Sequence, residues 1–253
     1  MSEALKGRVA LVTGSSRGIG AAVARLFASE GALVALHGRD TEALEAVRRD
    51  IHDLGGQAIE VAGDVTDFRA IETMRLRIER ELGPVDILVA NAGGSFTPPA
   101  MIEDIPEDGW RASVEGNLTA TFLTLKCFLP SMKARKRGAI VTVSSAAARK
   151  PHPRAPIPYA VAKAGIVILT QDVAAQAGPY GIRVNCVAPE TILTERNLER
   201  IPQAQQEQLR AEHPIQRLGT PEDVAHAILY LTSDAAGWIT GVVLDVAGGA
   251  VMI

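Results

Sequence analysis

Residues 8–20 decide how this chain folds: Arg8-Val9-Ala10-Leu11-Val12-Thr13-Gly14-Ser15-Ser16-Arg17-Gly18-Ile19-Gly20. Val9–Thr13 is short and apolar, as a buried strand is, and a helical pattern runs from Ala21 to Glu30. Glycines between a strand and a helix are in the context a dinucleotide site requires. Gly14 permits a tight turn, while Gly18 and Gly20 let the backbone approach a pyrophosphate and pack helix on strand. The helix N-terminus offers free N–H groups and a positive dipole end to phosphates. Ser16, Arg17 and Ile19 complete this predicted cofactor loop. The spacing is Gly-x-x-x-Gly-x-Gly, not the commoner Gly-x-Gly-x-x-Gly. A merely flexible Gly/Ser loop is the competing reading, and the flanking strand and helix argue against it.

Outward from this unit, strands alternate with helices. A second strand, 32–37, ends in Gly38-Arg39-Asp40. An acidic side chain at this strand end would bind the ribose hydroxyls of NAD. Here Gly38 holds the tip and Arg39 follows, with Arg17 as a second cation. Two guanidinium groups suit a ribose 2′-phosphate, which argues for NADP(H). Asp40 is the counter-reading, and a helix cap is its expected role. A third strand, 57–62, precedes Asp64 and Val65 at the predicted adenine end and Asp67, read as a cap. A fourth, 86–90, leads to Asn91-Ala92-Gly93, where small residues let the backbone pass close to the cofactor and Asn91 ties neighbouring strands. Helical stretches 106–116 and 118–133 meet at Gly116-Asn117, where asparagine marks a kink or a polar function. Lys133, Arg135, Lys136 and Arg137 read as a solvated helix end, with an acidic carrier protein as the weaker alternative.

The fifth strand, 139–143, ends at Ser144-Ser145, and a proline-rich loop leads to an apolar helix whose only charge is Lys163. Tyr159 and Lys163 lie one helical turn apart on one face. An ammonium beside a phenol lowers the phenol pKa, which makes Tyr159 a proton donor and acceptor near neutrality; a solvated lysine beside a snorkelling tyrosine is the bland alternative. A serine at the strand end can bond the same carbonyl oxygen. A sixth strand, 182–187, leads to Pro189, Glu190 and Thr194. Residues 195–217 are polar, at helical spacing, and read as a mobile lid, within a substrate segment of about 190–217. A seventh stretch, 241–246, closes the pattern. The whole of 1–253 is one predicted domain: α/β, a doubly wound, mostly parallel sheet with helices on both faces.

The bounds from composition agree. The chain has 253 residues, 47% of them hydrophobic and 22% charged, enough for one full core. A net charge of −3 argues against a nucleic-acid surface. No apolar stretch is expected to span a membrane, no secretory region is evident, and the expected location is cytoplasmic. The five histidines are scattered with no metal-ligand spacing, and each reads as structural or surface. Cys127 and Cys186 read as reduced core thiols. Helices 118–133 and 157–177 lack a polar face, so a second subunit is expected on them.

Thr13-Gly-x-x-x-Gly-x-Gly20, Asn91-Ala-Gly93, Asn117, Ser145, Tyr159-x-x-x-Lys163, and Pro189 with Thr194 together resemble the short-chain dehydrogenase/reductase family, most of all its 3-oxoacyl-carrier-protein reductases. The resemblance implies a Rossmann fold with seven strands, a homotetramer, and an NADP(H)-dependent oxidoreductase that interconverts a carbonyl and a secondary alcohol. It implies Tyr159 as general acid and base and Lys163 as the group that lowers its pKa and holds the nicotinamide ribose. Ser145 would orient the carbonyl, Asn117 would anchor a relay water, and Pro189 and Thr194 would contact the cofactor. Two departures stand out. Glu190 replaces the family's usual glycine, where a carboxylate would restrict the backbone or repel anionic substrates, and the Ser145-to-Tyr159 loop is one residue longer, which leaves Ser144 as an alternative serine. The competing readings are an NAD-linked polyol, sugar or steroid dehydrogenase and a dinucleotide-binding regulator without turnover; the intact Ser, Tyr, Lys and Asn set argues against the regulator.

Overall fold

The computed structural model describes residues 3–152 and 154–253. Seven strands form one sheet: β1 (Val9–Thr13), β2 (Leu33–Gly38), β3 (Gln57–Ala62), β4 (Ile87–Ala90), β5 (Gly138–Val143), β6 (Ile182–Pro189) and β7 (Val243–Val246). Their order is β3-β2-β1-β4-β5-β6-β7, and every pairing is parallel. A parallel sheet is covered on both faces, so its strands read as unbroken apolar runs. β1 shows why. Ala10 and Val12 enter a core with α1 (Gly18–Ser29), α2 (Thr41–Asp53) and α9 (Pro221–Thr232). Val9 and Leu11 enter the opposite core with α3 (Phe68–Glu81), α5 (Ala120–Arg135) and α6 (Ile157–Ala177). The strand order reverses between β1 and β4, and the crevice outside their C-terminal ends is where such sheets bind ligands.

Local chemistry sets the element ends. Asp40 caps α2 by accepting the Ala43 N–H at 3.1 Å, and Asp67 caps α3 through Arg69 at 2.9 Å. Thr220 and Asp223 form a capping box on α9, with Pro221 in its first turn. Pro156 caps α6 and Pro158 lies in its first turn. Between α4 (Glu107–Val114) and α5, residues Glu115–Thr119 form a π-turn, so the expected kink at Asn117 is a widened helix. Cys127 and Cys186 are buried and unpaired.

Several expectations change in detail. Arg135 is not solvated: it reaches Asp86 at 2.9 Å, and the half-exposed Arg137 lies 3.4 Å from the same carboxylate. Lys136 takes the left-handed conformation at the end of α5, at φ 52°, where glycine is usual. Residues 195–217 are not purely a polar cover: α7 (Glu195–Arg200) and α8 (Gln203–Glu212) bury Leu209, and His213 is buried beside them. Finally, α6 is long and apolar enough by composition to cross a membrane, yet it buries Lys163 and packs on β6 in the protein's own core.

Candidate active site

The crevice at the β1–β4 reversal is stitched by two side chains. The Thr13 hydroxyl accepts the N–H groups of Asn91 and Ala92, both at 3.0 Å. The Asn91 amide donates back to the carbonyls of Thr13 and Gly14, at 2.9 and 3.1 Å. This is the strand-tying role expected of Asn91. The glycines leave a cradle that side chains would fill. A Cβ on Gly20 would lie 2.2 Å from the Gly14 carbonyl oxygen, and one on Gly18 would lie 3.1 Å from Thr194 Cγ2. At Gly93, φ is 155° and a Cβ would meet Asn117 Oδ1 at 2.5 Å. A dinucleotide fits such a trough of about 510 Å³, which Gly14, Ser16, Ile19, Ala92, Pro189 and Thr194 help to line.

Two groups that sequence reasoning did not assign control the phosphate end. His37, on β2, is buried; its Nδ1 accepts the Gly14 N–H at 3.3 Å, and its Nε2 faces the Gly63 carbonyl at 3.2 Å. Burial lowers its pKa despite the opposing Gly63 bond. Glu195 is the other: its carboxylate accepts the Gly18 N–H, the first donor of α1, at 3.2 Å. Neither was legible, because each partner lies in another βα unit.

At the adenosine end, Arg17 is ion-paired with Asp40, so that residue holds Arg17 as well as capping α2. Arg39 is exposed beside it, with no carboxylate among the described residues within 4.0 Å. Asp64 and Val65 line the same trough. Bonds from the Thr66 N–H and hydroxyl, at 2.9 and 2.8 Å, hold the Asp64 carboxyl below its ordinary range.

The other end gathers Asn117, Ser145, Tyr159 and Lys163. Asn117 is fully buried; its amide donates to the carbonyls of Gly94 and Ser113, at 2.9 and 2.8 Å, and its Oδ1 accepts the Gly94 N–H at 3.0 Å. The π-turn therefore aims this side chain at the β4 end. Ser144 is buried and its hydroxyl donates to the Lys163 carbonyl at 2.8 Å. Ser145 accepts the Ala147 N–H at 3.2 Å and its side chain also meets the Tyr159 phenol. Lys163 is 4% exposed and donates to the Val143 carbonyl at 2.8 Å.

Burial pushes the Tyr159 phenol above its ordinary pKa; contact with Ser145 opposes this and Glu190 adds to it. Lys163 Nζ donates to the Val143 carbonyl and sits 5.7 Å from the centre of the Tyr159 ring. Burial pushes the ammonium down to about 8. A one-turn spacing brings two side chains together; it does not aim them.

Glu190 faces the cleft from the end of β6. Burial acts to raise its carboxyl, but the His152 hydrogen bond, at 3.3 Å, with further help from His213 and Thr191, leaves it below the usual range. Among the described residues no cluster of histidine, cysteine and carboxylate side chains could hold a metal ion.

A glycine cradle at a sheet's reversal point, opening onto a buried lysine and a tyrosine, belongs to oxidoreductases that work with a nicotinamide dinucleotide. Comparison with known proteins narrows the class. The family model described as enoyl-(acyl carrier protein) reductase matches residues 14–251. The chain is 41% identical to cis-4-hydroxycyclohexanecarboxylate dehydrogenase of Sinomonas cyclohexanicum, over 98% of each chain. It is 35% identical to a 3-oxoacyl-[acyl-carrier-protein] reductase of Thermotoga maritima, over 98% of this chain and 99% of the other. A crystal structure of a 3-oxoacyl-[acyl-carrier protein] reductase with bound NAD, from Brucella melitensis, superposes with a TM-score of 0.90 at 35% identity, covering 100% of this chain and 94% of that one. The chain belongs to the short-chain dehydrogenase/reductase family, whose members here interconvert alcohols and carbonyls.

Proposed function

We propose that this protein is an NADP(H)-dependent reductase of a ketone, reversible as a secondary-alcohol dehydrogenase, with Tyr159 as its proton-transfer residue. The observation that carries the reaction is the burial of Lys163 beside Gly93 and one turn from Tyr159, at the inner end of the cradle. A lysine held this deep without a carboxylate is costly unless it serves a bound polar group. When bound, the dinucleotide supplies the hydride. Tyr159 gives its proton to the carbonyl oxygen in reduction and takes it back in oxidation. The Ser145 hydroxyl, beside the Tyr159 phenol, bonds the same oxygen and fixes its direction. Lys163 holds the nicotinamide ribose, and Asn117 secures the inner end of the proton relay. Gly14, Ser16, Gly18, Ile19 and Gly20 seat the phosphates, Asn91, Ala92 and Gly93 the middle of the cofactor, and Pro189 and Thr194 the carboxamide end.

Arg39 supports NADP(H). It is a guanidinium at the tip of β2 with no carboxylate within 4.0 Å among the described residues, beside Gly38 where an NAD-binding carboxylate would stand. The NAD reading rests on Asp40, but that carboxylate is already bonded to Ala43 and to Arg17. Titration of the wild-type protein with NADPH and NADH tests this: NADPH is expected to bind about tenfold tighter, and tighter NADH binding overturns the assignment. Arg39→Asp is expected to reverse the order.

Phe122 on α5, and Val161 and Ile168 on α6, are 46%, 46% and 59% exposed. These apolar faces support assembly into a homotetramer through α5 and α6, in the cytoplasm.

A further inference from the structure

Beyond Tyr159 the trough opens into a second cavity of about 690 Å³. Glu190 and His152 stand at its Tyr159 end, Phe96, Pro99 and Ile201 make apolar wall, and Arg196 and Arg200 project into it from α7. Both arginines are exposed. Among the described residues Arg196 makes one hydrogen bond, to the Ser95 carbonyl at 3.4 Å. Among the described residues no carboxylate lies within 4.0 Å of Arg196 or Arg200, whereas the neighbouring Arg154 is paired with Glu212 at 2.7 Å. Burial and the charge of Arg200 both weigh against the Arg196 cation. A guanidinium does not relieve that repulsion by losing its proton; an anion brought between the two does. The planar fork of arginine matches a carboxylate in particular.

Glu190 gives the site a direction. Its ionised carboxyl repels an anion from the wall it occupies, so an acidic substituent is driven toward α7. We propose that the substrate is an oxo acid, or the matching hydroxy acid, whose carboxylate seats on Arg196 and Arg200 while an apolar body spans the cavity and its carbonyl faces Tyr159. This rests on the oxidoreductase reading above and adds the class of substrate. Arg196 also borders the dinucleotide trough, but Arg200 lines only the second cavity. Arg200 is therefore the specificity residue that separates substrate recognition from cofactor recognition.

The test compares matched pairs: 4-oxocyclohexanecarboxylate with its carboxamide, levulinate with its carboxamide, and a neutral thioester, the N-acetylcysteamine ester of acetoacetate. Each is reduced by the full chain with NADPH. The acids are expected to exceed their amides in kcat/KM by about tenfold or more, chiefly through KM. Arg200→Gln is expected to bring the acid-to-amide ratio near one, and Arg200→Lys to restore part of it. Reduction of amides or thioester as efficiently as the acids, or a ratio that survives Arg200→Gln, overturns the inference and leaves the oxidoreductase intact. No hydride transfer to any compound, nor from their alcohols in reverse, despite NADPH binding, overturns both.

Discussion

His37 Nδ1 accepts the main-chain N–H of Gly14, so the glycine turn that begins the cofactor loop is held from the neighbouring strand. That bond needs a neutral ring nitrogen, since a protonated Nδ1 would face another donor. The folded state therefore lowers the His37 pKa from 6.5, burial being the main cause. A depressed folded pKa contributes stability that is complete above the unfolded value and is lost as pH falls through the folded one. The melting temperature is expected to decline as pH is lowered below about 6.5, and dinucleotide binding with it. His37→Asn should flatten this acid limb; an unchanged limb would place the sensitive group elsewhere.

Glu195 competes for the Gly18 N–H, the donor that a phosphate would use. Glu195→Gln removes that carboxylate at nearly the same shape. A charge at a helix N-terminus is worth about 0.3–1 kcal/mol, so dinucleotide should bind about two- to fivefold tighter in the variant. Calorimetric titration reads this directly, and weaker binding would show that Glu195 supports the cofactor instead of opposing it.

Tyr159→Phe keeps the ring and removes the only phenol at the inner end of the trough. Turnover should fall by about a hundredfold or more, while the dissociation constant for NADPH stays within about twofold of wild type, because the phosphate cradle is untouched. Full turnover in the variant would assign proton transfer to another group.

Asp86 is expected to matter for stability alone. It bonds Arg135 at 2.9 Å and the Val9 N–H at 3.3 Å, joining β1, β4 and the end of α5. Asp86→Ala strands those donors and should cost about 1–3 kcal/mol, visible as a lower urea midpoint with little change in turnover per folded molecule.

Two glycines should respond oppositely to alanine. Gly20→Ala places a methyl 2.2 Å from the Gly14 oxygen and should abolish dinucleotide binding. Gly178, at φ −51° with nothing within 4 Å of an added Cβ, tolerates alanine, and the shrunken unfolded ensemble should add about 0.4–1 kcal/mol. Thermal melts with and without NADPH separate the two effects.

The strands and the glycine loop were readable because parallel strands buried on both faces leave unbroken apolar runs, and because Asp40 and Asp67 cap helices that begin directly after them. What escaped depends on contacts distant in sequence. Arg135 and Arg137 looked solvated because Asp86 lies 49 residues before the first of them. His37 looked unremarkable because its partners, Gly14 and Gly63, come from two other βα units. Tyr159 and Lys163 lie near each other, as one helical turn implies, but the direction of the ammonium is set by the Val143 carbonyl, which helical spacing says nothing about. Leu209 was hidden in a polar stretch whose one buried apolar residue only the fold identifies.

The π-turn at Glu115–Thr119 has a consequence for how this site can change over generations. One surplus residue offsets the angular phase of α4 from that of α5 by about 100°. Point substitutions leave that phase alone, whereas a one-residue deletion would straighten the rod, swing Trp110 to a new bearing and withdraw Asn117 from Gly94 in a single event. The placement of the asparagine and the orientation of the preceding helix are thus coupled by length, and drift in one cannot proceed without the other.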